Sequence, residues 1–178
     1  SKVSLFSGLN NLKDISLDKR YATLCGYTLP EIKTVFADKV EGVDFEKLAQ
    51  WYNGYNFCGD KIYNPFNVLL YLDSRVFKNY WFETGNTSFL LKVIRERKFY
   101  LPEAENLVIG ESDLNSFDIN DFSLEALLFQ TGYLTIDHVE EFGDDYFYHL
   151  SYPNREVKTS LNRHFLQDLT KSNPTHAA

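Results

Sequence analysis

Apolar residues recur along this chain at two different spacings, and the change from one to the other divides it. From residue 28 to 98 the spacing is helical. Thr28, Pro30 and Glu31 combine a capping hydroxyl, a first-turn proline and a capping-box carboxylate, and Ile32, Val35 and Phe36 continue on one face. Asp44 can cap a second helix whose Phe45, Leu48 and Tyr52 share a face, with Gly54 or Gly59 to end it. Asn64-Pro65 opens a third, carrying Phe66, Leu69, Leu70 and Asp73 at three- and four-residue steps. A fourth is predicted from about Thr87 through Phe89, Leu90, Val93 and Ile94 to Arg95, Arg97 and Lys98, cations that suit the carbonyl end of a helix dipole.

From Leu101 to Asp121 the chain turns polar, with Pro102, Gly110 and repeated Ser and Asp, which predicts a mostly irregular connection. Ser123 then caps a helix bearing Leu124, Leu127 and Leu128, stopped by Gly132. YLTIDHV and YFYHLSY, rich in β-branched and aromatic residues, flank the turn-forming EEFGDD and predict a hairpin near 133–139 and 146–152. Asn154 caps a final helix along Val157, Leu161, Phe165 and Leu169. Helix, hairpin and helix together read as a winged-helix-like unit. At the start, SKVSLFS alternates as a half-buried strand would, without a preceding element to pair with, and residues 9–27 read as irregular and short helical pieces. The expected class is therefore mainly α (α+β): a helical lid-type bundle followed by a winged-helix-like helix–hairpin–helix unit. The expected divisions are 1–26, 27–118, 119–170 and a flexible tail at 171–178.

Composition narrows the chemistry. With 44% hydrophobic and 16% aromatic residues among 178, a packed core is within reach. The net charge of −7 gives a field that repels phosphate backbones and anionic lipid unless a local basic patch outweighs it, so nucleic acid is a disfavoured partner. The apolar runs are short and interrupted, which argues against a membrane span, and the two cysteines, Cys25 and Cys58, read as reduced thiols in a cytoplasm.

The common phosphate-loop, dinucleotide, zinc and nucleophile-elbow signatures do not occur, so no catalytic residue is assigned. His138 and His149 can face one another across the hairpin, but the upstream cysteines are remote and no metal site is expected. Arg155, Lys158 and Arg163 are the candidate contacts to a partner or to DNA, against the plainer reading of a solvated helix face beside an acidic wing. Between 51 and 65, Trp51, Tyr52, Tyr55, Phe57 and Tyr63 precede Asn64-Pro65, whose helix start offers backbone N–H groups. Such a cluster can hold a base and a phosphate, or it can be core packing. Both readings stay open.

Five ordered blocks add to this: SKVSLFSGLNNLKDISLD, WYNGYNF with YNPFNVLLYL, YWFETGNTSFLL, LLFQTGYLTI and YPNREVKTSL. Together they resemble the bacterial predicted AAA-ATPase-like proteins, which usually carry a restriction-enzyme-like nuclease domain further on. The resemblance reaches to about residue 166. It implies that 1–26 ends an ATPase core, that 27–118 is the helical lid and that 119–170 is winged-helix-like. It also implies an ATP- and Mg-dependent parent protein whose phosphate loop lies upstream, with the core and the nuclease-like domain as partners in one chain; this segment itself would hold no cofactor. The step Tyr63-Asn64-Pro65 loosely resembles the lid-helix turn that packs near adenine in related ATPases, without their glycine before the proline. The alternative is a non-enzymatic module that binds protein or DNA.

Overall fold

The structure, a computed structural model, describes residues 13–85, 87–99, 101–114 and 123–172. The strand-like reading of SKVSLFS and most of the predicted tail lie outside them. Within the described residues the chain is a mainly helical α+β fold. Helices α1 (Leu29–Val35), α2 (Phe45–Tyr52) and α3 (Pro65–Ser74) start where the caps place them. Thr28 and Glu31 form the full capping box, and Asp44 accepts from the Lys47 N–H at 3.0 Å. Two further helices follow, α4 (Tyr80–Thr84), which the apolar spacing did not predict, and α5 (Ser88–Glu96).

Of the stretch expected to be irregular, the described part, residues 101–114, is not. It holds a 3-10 turn at Leu101–Asn106, strand β1 (Leu107–Gly110) and the short helix α6 (Glu111–Leu114). The strand is only four residues long and ends in glycine, too brief for alternation to stand out. It forms because Leu107 and Ile109 fall opposite Leu150 and Tyr148 of a strand some forty residues on. Helix α7 (Leu124–Gln130), strands β2 (Thr135–Phe142) and β3 (Asp145–Ser151) and helix α8 (Arg155–Ser172) complete the fold. The predicted hairpin is thus present, but inside a three-stranded antiparallel sheet of order β1-β3-β2, with a register shift between Ile136 and His138.

Two apolar cores form among the described residues. The smaller gathers Ile32, Leu48, Tyr52, Tyr63, Val68, Tyr71 and Leu72 from α1 to α3 and the loop before α3. The Tyr52 hydroxyl within it is well served: it donates to the Lys78 carbonyl at 2.9 Å and accepts from the Lys78 N–H at 3.0 Å. The larger core joins Phe82, Leu90 and Ile94 to Leu124, Leu128, Ile136, Leu150 and Leu161. It therefore runs across residue 118, and the helices before that position pack on the same interior as the hairpin after it.

The loop 53–64 lies between the cores and is pinned near its start by two contacts. The Thr135 hydroxyl accepts from the Asn56 N–H at 2.7 Å and donates to the Asn56 carbonyl at 3.2 Å. Gly54, at φ +117°, passes so close to Pro153 that any Cβ there would overlap the Pro153 carbonyl. Gly54→Ala is expected to cost more than about 3 kcal/mol, because a disallowed backbone angle and a backbone clash add. Gly42 also has positive φ but open space around it, so Gly42→Ala should cost only about 1 kcal/mol. Equilibrium denaturation of the two variants checks the contrast, and equal losses would contradict it.

Candidate functional site

Beside that loop lies a cleft of about 490 Å³, bounded by Tyr55, Phe57, Ile62, Tyr63, Asn64 and Pro65 on one side and by Trp81 and residues 129–132 on the other. The opening is shaped by two isolated bridges. Tyr27 and Tyr63 exchange backbone hydrogen bonds at 3.1 and 2.8 Å, and the Ile62 N–H donates to the Tyr55 carbonyl at 2.8 Å. Gly132, at φ +79°, lets the turn after α7 approach Trp81, whose ring lies 3.4 Å from where a Cβ would stand. The rings meet edge on, Tyr55 with Trp81 at 6.5 Å and Phe57 with Phe129 at 6.2 Å between centroids. Among the described residues, no charged side chain lines the cleft. Its polar groups are hydroxyls, amides and a thiol, among them Tyr55, whose Oη is buried with no hydrogen-bond partner. The amides of Asn64 and Asn154 lie near that oxygen without completing a bond, and burial pushes the phenol well above its ordinary pKa.

Of the residues singled out in the sequence, Tyr63, Asn64 and Pro65 all border this cleft. Tyr63 is nevertheless 2% exposed and packed in the smaller core. The helix start behaves differently from the expectation of open N–H groups. Pro65 has none, the Phe66 and Asn67 N–H groups donate to Asn64 Oδ1 at 3.0 and 3.3 Å, and the Val68 N–H donates to the Asn64 carbonyl at 3.1 Å. Asn64 is its own helix's cap, so the first turn has no donor left for a phosphate.

Of the basic group on α8, Lys158 and Arg163 line one open groove and Arg155 is turned elsewhere. Arg155 stacks over the Trp51 ring at 5.1 Å, Lys158 pairs with Glu105 at 2.7 Å, and Arg163 stands exposed on the outer face. His138 and His149 do face one another, with parallel rings 4.0 Å apart, each held by a carboxylate: Asp137 for His138 and Glu140 for His149. Among the described residues, no group of three or more His, Cys, Asp or Glu is placed to hold a metal ion.

Sequence reasoning missed the most consequential polar group. Glu156, on the first turn of α8, is fully buried. Its Oε1 accepts from the Phe82 N–H at 3.1 Å, and its Oε2 accepts from the Asn67 amide nitrogen. Asn67, itself fully buried on α3, accepts the Trp81 N–H on its Oδ1 at 3.0 Å. Helix α4 lacks a side-chain cap of its own. Its second and third N–H groups are capped instead by residues from α3 and α8. A first-turn glutamate ordinarily reads as a solvated partner of the helix dipole, so only its neighbour Val157 in the apolar stripe hinted at burial.

The comparisons with known proteins place few limits on this site. The chain is 50% identical over 166 residues, 93% of its length, to "Uncharacterized protein in vnfD 5'region" from Azotobacter chroococcum mcd 1, and spans 32% of that protein. No family model matches the chain, and no solved structure matches it. No helix among the described residues is long and apolar enough to cross a membrane.

Burial is the main reason that the Glu156 carboxyl is raised to about 7 from its ordinary value of 4.5, against the opposing pull of its hydrogen bonds. A group that binds its proton more tightly when folded makes the fold lose stability as pH rises through that window, here from about 4.5 to about 7, by at most about 1.4 kcal/mol per unit. Glu156→Gln should be less stable than the unsubstituted chain throughout, with a gap that narrows between pH 5.5 and 7.5. Urea titrations at the two values test this, and a gap independent of pH would contradict it.

Proposed function

We propose that this chain is the lid and winged-helix-like portion of a AAA-type ATPase, coupling nucleotide state to domain movement without being catalytic alone. The observation that carries the reading is the cleft at Tyr63-Asn64-Pro65: ringed by aromatic side chains, equipped with amides and hydroxyls, and free of charge. Such a lining suits a planar heteroaromatic base, which gains from ring contacts and neutral donors. It offers nothing to triphosphate oxygens, and the neighbouring helix start is already capped. Phosphates and Mg would be held by the upstream core of the parent protein, with this segment closing over the base.

The five sequence blocks support the same reading, since several of them converge on this cleft and on the buried network beside it. WYNGYNF and YNPF supply one wall, LLFQTG and the tryptophan of YWFETG the other. The glutamate of YPNREV fixes the latter. The downstream nuclease-like domain and a cytoplasmic setting belong to the proposal as well. DNA contact through Arg155 and Lys158 is less favoured, because each already has an internal partner.

The full-length protein provides the test. Thr131→Trp, at an exposed position on the cleft rim, should fill the space and weaken ADP and ATP binding at least about tenfold, a loss of roughly 1.4 kcal/mol. Pro65→Ala should weaken it less, and both should keep the melting temperature within a few degrees. Tyr63→Ala is unsuited to this test because that ring is core. The present chain alone should show no ATPase rate above buffer. Unchanged nucleotide affinity in a folded Thr131→Trp protein would contradict the reading and favour a non-enzymatic interaction module.

A further inference from the structure

The buried Glu156 network touches the cleft at one residue, Trp81. Its backbone N–H is held by Asn67, the next residue's N–H by Glu156, and its ring forms the cleft wall against Gly132 and Tyr55. We propose that Glu156 is a proton-operated latch: in its ionised state it holds the N-terminus of α4 and sets the Trp81 wall, and on protonation it loosens that hold and changes the shape of the cleft.

The geometry supports a switch at this carboxyl. Both of its oxygens accept from N–H groups whose other partners are fixed, Phe82 within α4 and Asn67 through its bond to Trp81. A proton on either oxygen has to displace or weaken one of those bonds, and both lead to α4. No cation compensates the charge, for among the described residues Glu156 has no ion-pair partner. The charged and titratable groups that face it are Glu83 on α4, Tyr52 on α2 and Tyr55 on the following loop, all of which disfavour or ignore its negative charge. On α8 itself, Arg155 is turned to Trp51 and Lys158 to Glu105, and α3 contributes the neutral Asn67. The carboxyl titrates near pH 7, so modest changes in acidity reach it. α4 is five residues long, so its N-terminal hydrogen bonds are a large share of what orients it. The device does not depend on which ligand the cleft takes, and its test uses none.

Amide and carboxyl resonances of the chain, followed by NMR from pH 5.5 to 8.5, read the latch. The Glu156 side-chain carboxyl, the Phe82 amide and the Gly132 amide, which lies across the cleft beside the Trp81 ring, are expected to shift together with one midpoint near 7. A carboxyl that titrates while Gly132 stays still would overturn the proposal, leaving Glu156 as a static cap. In Glu156→Gln the Gly132 titration should vanish, while in Tyr55→Phe it should persist; a folded Gln variant in which it persists is the second overturning result. If the Gln variant does not fold, the comparison of Glu156 with Gly132 in the unsubstituted chain decides alone.

Discussion

A single buried carboxylate organises the meeting of three helices. Glu156 and Asn67 come from α8 and α3, helices 89 residues apart in sequence, and together they cap α4, whose own sequence supplies no capping side chain. Buried charge is costly unless its lone pairs are occupied, and breaking such a set is more expensive than never having built it. Here the occupation is complete enough to position α4, and α4 carries Phe82 into the larger core and Trp81 to the cleft. The two cores are thus joined by polar contacts at their boundary, with Gly54 and Pro153 closing the same junction by backbone contact.

Local rules carried a reader of the sequence far along the fold and only to the edge of the site. Thr28, Asp44, Asn64, Ser123 and Asn154 each accept from a first-turn N–H, because capping needs only residues three apart. The hairpin was legible for the same reason, with its turn and both strands contiguous. What escaped depended on distance. β1 exists by pairing with β3, and α4 exists by being capped from two other helices. No local pattern marks either. The aromatic richness of 51–63 was visible, but not its division: Tyr52 went to the core, Tyr55 and Phe57 to the cleft, and Tyr63 to the core at the cleft's edge. Likewise Arg155 and Lys158 share a helix without sharing a partner, since Trp51 and Glu105, which engage them, lie far away in sequence.

The site that results is a neutral, ring-walled cleft whose walls are set by backbone, not by flexible side chains. The Tyr27–Tyr63 bridge fixes one side, and the left-handed turn at Gly132 fixes the other. Trp81, on the second side, rests on a five-residue helix held from outside. The proposed latch calls for one adjustable wall against rigid ones, and it assigns that part to Trp81.

The central claim is that Glu156 and Asn67 act as one unit on α4, and a double-mutant cycle of Asn67→Ala and Glu156→Gln measures it most directly. Both Glu156 oxygens accept, so any orientation of the glutamine amide sets its NH2 against another donor while Asn67 is present. Unfolding free energies should therefore be non-additive, with the glutamine substitution costing at least about 1 kcal/mol less in the Asn67→Ala background than alone. Additive losses, within about 0.3 kcal/mol, would mean that the two residues stabilise the fold separately and that α4 is not held by them as a pair.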